Sequence, residues 1–493
     1  MKISILIIFL LFTQKIFGQL WYITRGLSTD EVAWGVDVDN DGNIYWAVEE
    51  KDQWPYWYYN ILLFKIDSNA QQLWQNNSWG GAYNELAFKV TVNDSLVYLS
   101  GRKDSTGSPT SGDALVLSFN KNNGTFNWNY NYNPEPDYGY EEIDGLIVKP
   151  DGIYISGWSQ SQNANDMNFL VQKISLSGQL VWTNTWDYEG LGKLDGANGH
   201  MEMDNNYLYI AGHVNRTNLG SLDGDGALAC FSRTNGAYQW NVTWGGSLYD
   251  DALGMTMSSD SILYIVGYTG SYGNGSQTYI NKYTRSGQLK WSRIWGGTGT
   301  EDCRSVVTDG DSSIYVVGTT SSYGNGLKDL FVLKYDSAGI LIDSIFWGGT
   351  NDEIAKDVAM YDDYLYITGE TKSYGLGLTN GDYKTDALLL KVNGRTMQAP
   401  DSTMTYKNFI NENKITVDVY PNPTTNSITV HIANSQIINC AIIIFDIAGN
   451  IVFENKINFN SEILYLNLPT GFYVYRIKNN EKFISSGKIV IYQ

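Results

Sequence analysis

Short apolar runs that alternate with turn residues recur along most of the chain. The pattern Ile/Leu/Val-Tyr inside such a run returns at intervals of 51 to 56 residues, at Tyr45, Tyr98, Tyr154, Tyr209, Tyr264, Tyr315 and Tyr366. Six of the seven tyrosines are followed three residues later by glycine, and turns rich in Asp, Asn and Gly precede them. A second apolar run, a Gly-containing turn and a run ending mostly in Trp complete the unit. Each repeat therefore predicts four short strands joined by tight turns.

A four-stranded unit of this size cannot bury both faces of its own sheet, so neighbouring units must stack. The aromatic side chains supply wide surfaces for that packing. Seven such units, within residues 19–395, predict an all-β fold with a closed seven-bladed β-propeller. A solenoid is the alternative, but its ends would need capping units, and none is apparent in the sequence.

The repeat also resembles a known family. Trp-Gly-Gly-Thr followed by acids, then Tyr-x-x-Gly, Asp-x-x-x-x-Lys and Gly-x-x-x-Trp, looks like the bacterial SBBP-type β-propeller repeat over about three quarters of the chain. This resemblance implies an exported propeller and specifies no activity. The Gly-x-x-x-Trp hairpin is also similar to a motif that locks neighbouring blades in quinoproteins, which implies a structural role and gives no evidence of a quinone cofactor.

The chain after the repeats predicts a second domain. Residues 396–414 are mostly polar and are predicted to be a linker, and residues 415–493 contain seven short alternating apolar runs. The runs are Ile415–Tyr420, Ser427–Ile432, Cys440–Phe445, Ile451–Phe453, Ile463–Leu468, Phe472–Ile477 and Gly487–Tyr492. So many strands in so short a segment predict a small β-sandwich of immunoglobulin-like type.

Three motifs in this tail, in order, are Val-Tyr-Pro-Asn-Pro, Asp-Ile-Ala-Gly-Asn and Leu-Pro-Thr-Gly-Phe-Tyr. They resemble the type A sorting domain of the type IX secretion system. The residues that carry the resemblance are Pro421, Asn422, Pro423, Asp446, Gly449, Gly471 and Tyr473. It implies a Bacteroidota-like cell, the type IX machinery as a partner, and attachment to the cell surface or release. Without the resemblance, the tail would be interpreted as an ordinary spacer or ligand-binding sandwich.

The first 18 residues have the layout of a secretory signal peptide, with Lys2 before the apolar run Ile3 to Phe12 and Gly18 at a plausible cleavage point. No later stretch is long and apolar enough to be a transmembrane helix. The formal charge of −19 argues against nucleic acid as a partner. Three His and three Cys poorly supply a zinc site or a His-dependent triad, and Cys230 and Cys440 lie in apolar runs that predict buried free thiols.

Every repeat carries an acid where its first strand begins. If these carboxylates pointed at the propeller axis, they would form an acidic funnel able to hold a cation or attract a cationic ligand. The alternative is that each carboxylate caps backbone N–H groups of its own Trp-Gly-Gly turn, a role that repetition favours. The seven acids are Asp30, Glu85, Glu142, Asp195, Asp250, Asp302 and Asp352.

Aromatic residues are candidates for a sugar-binding surface. The long loop of the first repeat is unusually aromatic, and Ser-Tyr-Gly loops recur in the last three repeats. Flat rings stack on the C–H faces of sugars, although rings in such aromatic blades also serve simple packing. The candidates are Trp54, Tyr56, Trp57, Tyr58, Tyr272, Tyr323 and Tyr374.

One segment has part of a calcium-binding pattern. Asp37, Asp39 and Asp41, followed by Gly42, fit the first half of an EF-type loop, but Val48 stands where the bidentate Glu is required. A hairpin turn is the better interpretation, so no cofactor is predicted and calcium is kept only as an alternative.

These observations predict a secreted or surface-attached propeller that binds an extracellular polysaccharide, glycoprotein or protein partner. No nucleophile with a nearby base stands out, so binding is preferred to catalysis. The alternatives are a polysaccharide-active hydrolase that uses axial carboxylates, and a structural or adhesion protein. The sequence does not specify the ligand or the oligomeric state.

Overall fold

The computed structural model describes residues 20–492 except for 27–29, 52–57, 81–82, 105–111, 135–138, 161–166, 189–194, 198–199, 216–223, 274, 311, 376–383, 401–405, 409–415, 421–423, 434–439, 447–448, 458–460 and 480–481. The predicted signal peptide lies outside these residues. Within them the chain forms strands and turns and no helix. Two compact units are formed, Met1–Asn408 and Phe409–Gln493.

The described part of the first unit contains seven sheets, which we call blades and number along the chain. Strand β1 (Trp21–Arg25) precedes them and belongs to the last blade. Blade 1 contains β2 (Glu31–Val38), β3 (Ile44–Lys51), β4 (Tyr59–Ile66) and β5 (Gln72–Trp79). Blade 2 contains β6 (Glu85–Val92), β7 (Leu96–Asp104), β8 (Gly112–Asn120) and β9 (Phe126–Tyr132). Blade 3 contains β10 (Glu141–Lys149), β11 (Gly152–Gln160), β12 (Met167–Ile174) and β13 (Leu180–Trp186).

The remaining blades follow the same plan. Blade 4 contains β14 (Met201–Met203), β15 (Tyr207–Asn215), β16 (Gly224–Ser232) and β17 (Tyr238–Trp244). Blade 5 contains β18 (Asp250–Met257), β19 (Ile262–Thr269), β20 (Gln277–Thr284) and β21 (Leu289–Trp295). Blade 6 contains β22 (Glu301–Thr308), β23 (Ser313–Thr320), β24 (Asp329–Asp336) and β25 (Leu341–Trp347). Blade 7 contains β26 (Glu353–Tyr361), β27 (Tyr364–Thr371) and β28 (Asp386–Asn393), followed by β1 and β29 (Tyr406–Asn408).

The blades are arranged as in a β-propeller. In blades 1 to 6 the strands pair antiparallel in chain order, as do β26, β27 and β28 of blade 7, and the first strand of each blade contacts the first strand of the next. Strand β2 contacts both β6 and β26, so the contacts between first strands form a closed ring of seven blades. The first strands therefore surround a common axis, and the fourth strands lie at the outer edge.

The N-terminal strand completes the last blade. Strand β1 pairs antiparallel with β28, so that Trp21 lies opposite Lys391 and Arg25 opposite Ala387. Strand β29 then pairs parallel with β1 on its other edge. The ring is thus closed by hydrogen bonds between the two ends of the repeat region, and residues 406–408, within the predicted linker, join the sheet of blade 7.

A tryptophan on the outer strand of most blades packs against the next blade. Trp74 donates its indole N–H to the Lys121 carbonyl at 3.1 Å, and Trp291 donates to the Ser337 carbonyl at 3.2 Å. Glycines in the left-handed conformation lie under these rings, and a Cβ added to them would come within 2.4 to 3.0 Å of the indole. The pairs are Gly124 with Trp74, Gly178 with Trp128, Gly236 with Trp182, Gly287 with Trp240 and Gly339 with Trp291. The Gly-x-x-x-Trp hairpin is therefore the interlock between consecutive blades.

Strand β1 extends this interlock across the closure. Trp21 is 2% exposed, lies 6.0 Å from the Tyr366 ring, and donates to the Ser68 carbonyl of blade 1 at 3.1 Å. Ala70 takes the place of the glycine and adopts a positive φ of 64°. Blade 7 is consequently joined to blade 1 by the same type of contact that the five Gly–Trp pairs make elsewhere in the ring.

The described residues of the second unit form two sheets around one core. A three-stranded sheet has the order β30 (Thr416–Tyr420), β31 (Ser427–Ala433) and β34 (Ser461–Tyr465), and a four-stranded sheet has the order β33 (Ile451–Ile457), β32 (Cys440–Phe445), β35 (Gly471–Asn479) and β36 (Lys482–Ile491). Ile428, Ile442, Leu464, Ile477 and Ile489 belong to its buried cluster, to which both sheets contribute. The strands follow the predicted apolar runs closely.

The prediction of an all-β chain with propeller-type sheets is confirmed, and the immunoglobulin-like type of the tail stays a prediction. Cys230 and Cys440 are buried and free as predicted, as is Cys303. In the part of the chain that the structure describes, no helix is long and apolar enough to cross a membrane.

We expect Trp21→Ala to lower the free energy of unfolding by about 3–5 kcal/mol, because it removes a buried indole and leaves a cavity at the ring closure. Chemical denaturation monitored by circular dichroism measures the change. Leu73→Ala is the matched control on an outer strand, since Leu73 is 50% exposed. Equal effects of the two substitutions would contradict the assignment of Trp21 to the closure.

Candidate functional site

A β-bulge interrupts the first strand of six blades. In blade 1, Ala33 pairs with Val48 and Gly35 with Ala47, which leaves Trp34 as the extra residue. The same register shift occurs in blades 2, 3, 5, 6 and 7. The extra residues, which we call the bulge residues, are Trp34, Phe88, Asp144, Leu253, Arg304 and Lys356. In blade 4, residues 198–199 fall outside the described residues.

The repeated Tyr-x-x-Gly motif makes room for these bulges. The second strand carries a glycine beside the bulge, because the carbonyl of the first strand approaches its Cα closely. A Cβ added to any of these glycines would lie only 1.8 to 2.3 Å from that carbonyl oxygen. They are Gly101, Gly157, Gly212, Gly267, Gly318 and Gly369. A bulge redirects a side chain, and bulges are frequent beside active sites.

All six bulge residues line one axial cavity of about 400 Å³, which we call the axial mouth. Glu142, Trp158, Met167, His200, Asp251 and Tyr268 complete its lining. The cavity therefore receives side chains from every blade. It combines apolar rings, carboxyl groups and cations, which is a lining suited to a polar ligand with apolar faces.

Trp34 is held in place from two sides. Its indole N–H donates to Glu49 Oε2 at 3.1 Å, and the other oxygen of Glu49 accepts from the Ala87 N–H at 3.0 Å. Lys356 Nζ lies 4.1 Å from the centroid of the Trp34 ring, and Phe88 packs edge-on at 5.6 Å. Burial raises the pKa of Glu49 to about 8, despite the two hydrogen bonds. Burial likewise lowers the pKa of Lys356, although Glu370 at 3.3 Å partly offsets this effect.

Trp158 forms the second aromatic wall. Tyr140 stacks on it at 4.5 Å with an interplanar angle of 9°, and the Arg102 guanidinium lies 4.4 Å from the Tyr140 ring. Arg102 also pairs with Glu142 at 3.0 Å. This stack fixes the orientation of Trp158 and places a cation beside the carboxyl groups.

Glu142 and Asp144 form an interacting carboxyl pair on strand β10. Burial raises the pKa of both groups. Repulsion from Glu142 raises the pKa of Asp144 further, whereas Arg102 lowers that of Glu142. A carboxyl group whose pKa is raised by burial and by a neighbouring carboxyl group is the kind of group that serves as a general acid.

A polar cluster lies at the floor of the axial mouth. Lys89 Nζ contacts both carboxylate oxygens of Asp357 at 2.9 and 3.0 Å, and Ser305 donates to Asp357 at 2.8 Å. His200 Nε2 lies 3.6 Å from Asp357. Burial opposes ionisation of Asp357, but Lys89 and His200 keep its pKa below its usual range. Burial and Lys89 lower the pKa of His200 to about 4, so the ring is neutral at neutral pH.

A second axial cavity of about 330 Å³ lies beyond this cluster, towards the ends of the first strands. Lys89, His200 and Ser305 contribute to its lining, together with Lys149 and Glu202. Burial raises the pKa of Glu202 to about 7. His200 is thus a lining residue of both cavities.

The seven acids predicted from the sequence occupy two kinds of position. Glu85, Asp195 and Asp250 are fully buried at the start of their blades, where Asp250 accepts from the Gly246 N–H at 2.9 Å, as the capping alternative expects. In the other four blades the buried acid is the neighbouring residue, Glu31, Glu141, Glu301 or Glu353. Glu301 and Glu353 accept from the Gly297 and Gly349 N–H groups of Trp-Gly-Gly turns.

The remaining predicted acids have cationic neighbours. Asp30 lies 3.9 Å from Lys51, Asp302 lies 3.1 Å from Arg304, and Asp352 lies 3.2 Å from Lys372. Of the seven, only Glu142 is part of the axial-mouth lining. Their role as a cation funnel stays a prediction, and in the described residues no group of three or more His, Cys, Asp or Glu could hold a metal ion.

The predicted aromatic candidates separate in the structure. Trp54, Tyr56 and Trp57 lie outside the described residues, whereas Tyr58 packs edge-on against Tyr83 at 5.9 Å. The Tyr272 hydroxyl donates to Gly245 O at 2.7 Å, and that of Tyr323 to Gly296 O at 3.2 Å. Tyr374 packs 5.0 Å from Trp347. The three repeated tyrosines therefore lie beside the Trp-Gly-Gly turns and do not line the axial mouth.

Two of the calcium candidates, Asp39 and Asp37, accept hydrogen bonds from backbone N–H groups. Asp39 accepts from the backbone N–H groups of Asp41 and Asn43 at 3.0 and 2.9 Å, and Lys121 lies 3.2 Å away. Asp37 accepts from the Val92 N–H at 2.8 Å.

The sorting-motif residues of the tail are described only in part. Pro421, Asn422 and Pro423 lie outside the described residues. Asp446 accepts from the Asn450 N–H, and Tyr473 donates to the Pro469 carbonyl at 2.7 Å.

Residues 418–492 match the family model of the secretion system C-terminal sorting domain. The chain is therefore a secreted protein of the outer cell surface that carries a type IX sorting tail and interacts with the secretion machinery through it. No curated protein sequence matches the chain significantly.

Several solved structures are similar to the chain, with low sequence identity and TM-scores below 0.5. They include the polysaccharide lyase Uly1 (12% identity, TM-score 0.45, covering 73% of this chain and 89% of that chain). The β-propeller domain of the Trilobed protease from Pyrococcus furiosus has 8% identity and a TM-score of 0.41, covering 77% of this chain and 100% of that chain. An α-L-arabinanase from Penicillium chrysogenum, complexed with arabinobiose, has 10% identity and a TM-score of 0.43, covering 77% and 99%. At these scores no functional conclusion for this chain follows from them.

Protonation of Glu49 makes a testable contribution to stability. Its pKa is about 8 in the folded chain against an ordinary value of 4.5, so the folded state binds more protons between these values. The free energy of unfolding should therefore fall as the pH rises from about 4.5 through about 8. We expect Glu49→Gln to reduce the stability difference between pH 5 and pH 8.5, measured by chemical denaturation. Asp363→Asn, at a half-exposed carboxylate, is the control; an unchanged difference in Glu49→Gln would contradict the prediction.

Proposed function

We propose that the protein is a cell-surface or secreted carbohydrate-binding propeller whose ligand enters the axial mouth. The observation that carries this proposal is the convergence of six bulge residues on one cavity. Trp34, Phe88 and Trp158 offer ring surfaces for the C–H faces of a sugar. Arg304, Lys356 and Glu142 offer charged partners for hydroxyl and carboxylate groups.

The sorting tail supports an extracellular ligand, because the chain works outside the cell. The balanced charges of the mouth favour a polar polymer over a strongly charged one: Arg304 lies 3.1 Å from Asp302, and Lys356 lies 3.3 Å from Glu370. Polysaccharides or the glycans of glycoproteins have this chemistry. A protein partner or a structural role in adhesion stays an alternative to this proposal.

The binding proposal is tested by retention of the full chain on neutral and anionic polysaccharides, such as laminarin, xylan, alginate and polygalacturonate. We expect Trp34→Ala and Trp158→Ala to weaken binding to the retaining polysaccharide at least tenfold, because each removes a stacking surface. Tyr207→Ala is the control, since Tyr207 is an aromatic residue that is 38% exposed and lies outside the mouth. Thermal unfolding of each variant establishes that it is folded. Retention on none of the polymers would contradict the proposal.

Polysaccharide cleavage is a second candidate function, and the Glu142–Asp144 pair supports it. A carboxyl group whose pKa is raised holds its proton more tightly and can donate it to a leaving oxygen as a general acid. If the protein cleaves a polymer that it retains, Asp144→Asn should abolish product formation and leave retention within a few-fold of wild type. Chromatography of the released oligosaccharides measures the first quantity. Retention of a polymer without released product would contradict the cleavage hypothesis and support binding without catalysis.

A further inference from the structure

A separate pocket of about 260 Å³ lies in blade 5, away from the axis. Its walls are aromatic, with Trp244, Tyr272, Tyr279 and Tyr283, and its outer side is formed by residues of strand β21. Trp244 lies 5.4 Å from Tyr283 and 6.0 Å from Tyr279. We call this cavity the rim pocket.

The rim pocket exists because blade 5 has no aromatic ring from its fourth strand over Trp244, whereas other blades place such a ring over the equivalent tryptophan. In blade 6, Phe346 pairs with Phe331 and stacks 6.1 Å from Trp295 and 5.3 Å from Tyr323. In blade 5 the residue in this register is Ile294, which pairs with Tyr279. The smaller side chain leaves the space above Trp244 open.

Other blades fill this space by other means. Tyr238 stacks on Trp186 at 5.2 Å in blade 4, Phe126 lies 5.1 Å from Trp79, and Tyr22 lies 5.3 Å from Trp347 in blade 7. The fourth strand of blade 5 instead presents Leu289, Ser292 and Ile294 to the cavity.

The floor of the rim pocket is polar, unlike its counterpart. Asn281 pairs with Ser292 in blade 5, where blade 6 has Leu333 opposite Ser344. Asn281 is 4% exposed and Asp250 is fully buried, and both line the pocket. Oδ1 of each accepts no hydrogen bond from the described residues. Such buried acceptors are costly unless a donor reaches them, so the pair points to a ligand that supplies donors.

We propose that the rim pocket binds a single neutral pyranose ring. Hydroxyl groups of the sugar would donate to Asn281 Oδ1 and Asp250 Oδ1, while its C–H face lies against the aromatic wall. A cationic amine is less suited, because Asp250 already accepts from the Gly246 N–H and the Ser271 hydroxyl, at 2.9 and 2.6 Å. The volume accommodates one ring and not a longer chain. This site is independent of the axial mouth and of the function proposed for it.

The chain itself supplies the substitutions that test the proposal. Ile294→Phe combined with Asn281→Leu gives blade 5 the side chains that blade 6 has in the same register. We expect this double variant to bind methyl pyranosides of glucose, galactose, mannose or rhamnose at least tenfold more weakly than the wild type. Saturation-transfer NMR on the full chain, titrated to millimolar sugar, measures the affinity. Thermal unfolding should show no loss of stability, because apolar groups fill a cavity.

Two further variants test the assignment of the binding site. Tyr207→Ala, at an exposed aromatic residue outside both cavities, should leave pyranoside binding unchanged. The filled double variant should keep the polysaccharide retention of the wild type, so failure of the axial proposal is distinguishable from failure of this one. Phe346→Ile combined with Leu333→Asn should add a second weak pyranoside site in blade 6. Absence of binding by the wild type, equal binding by the filled variant, or binding of methylammonium in preference to every pyranoside would each overturn the proposal.

Discussion

In most blades one tryptophan of the outer strand lies across the hairpin turn of the next blade, and Trp74, Trp291 and Trp21 donate their indole N–H groups to carbonyls there. Such a contact is directional, because the ring needs a turn without a protruding Cβ and the N–H needs one particular carbonyl. Repeated around the ring, it fixes the angle between neighbouring blades. That angle decides where the first strands meet, and the axial cavities depend on it. Removing one interlock would therefore affect the geometry of a site that the tryptophan does not touch.

The bulge separates the architecture of the ring from the chemistry of the mouth. The glycine beside each bulge serves backbone packing and is repeated, whereas the bulge residue is free to vary. Trp34, Asp144 and Lys356 consequently occupy equivalent positions with entirely different properties. Replacing one side chain per blade therefore changes the lining of the mouth without altering the backbone pairing of the strands.

The repeat pattern predicted the strands well, because alternation, turn residues and Trp spacing are local signals. The position of the site was not predicted, because bulge residues are unlike one another and carry no repeat. The signal was present in the glycine of Tyr-x-x-Gly, which marks a close backbone approach. In four blades the predicted acid lies one residue away from the acid that is buried in the structure. A shift of one residue places a side chain on the opposite face of a strand, so the pattern did not show which of the two is buried. The pairing of Trp21 with Lys391 is a contact between distant segments that no local pattern contains.

That pairing also sets an order of events. During synthesis, which begins at the N-terminus, the segment Trp21–Arg25 cannot form its strand pairing until Asp386–Asn393 has been made. Until then the growing structure is an open arc with an exposed edge at each end, and its axial cavities have no complete wall. The ring can therefore mature only after nearly all of the repeat region is available.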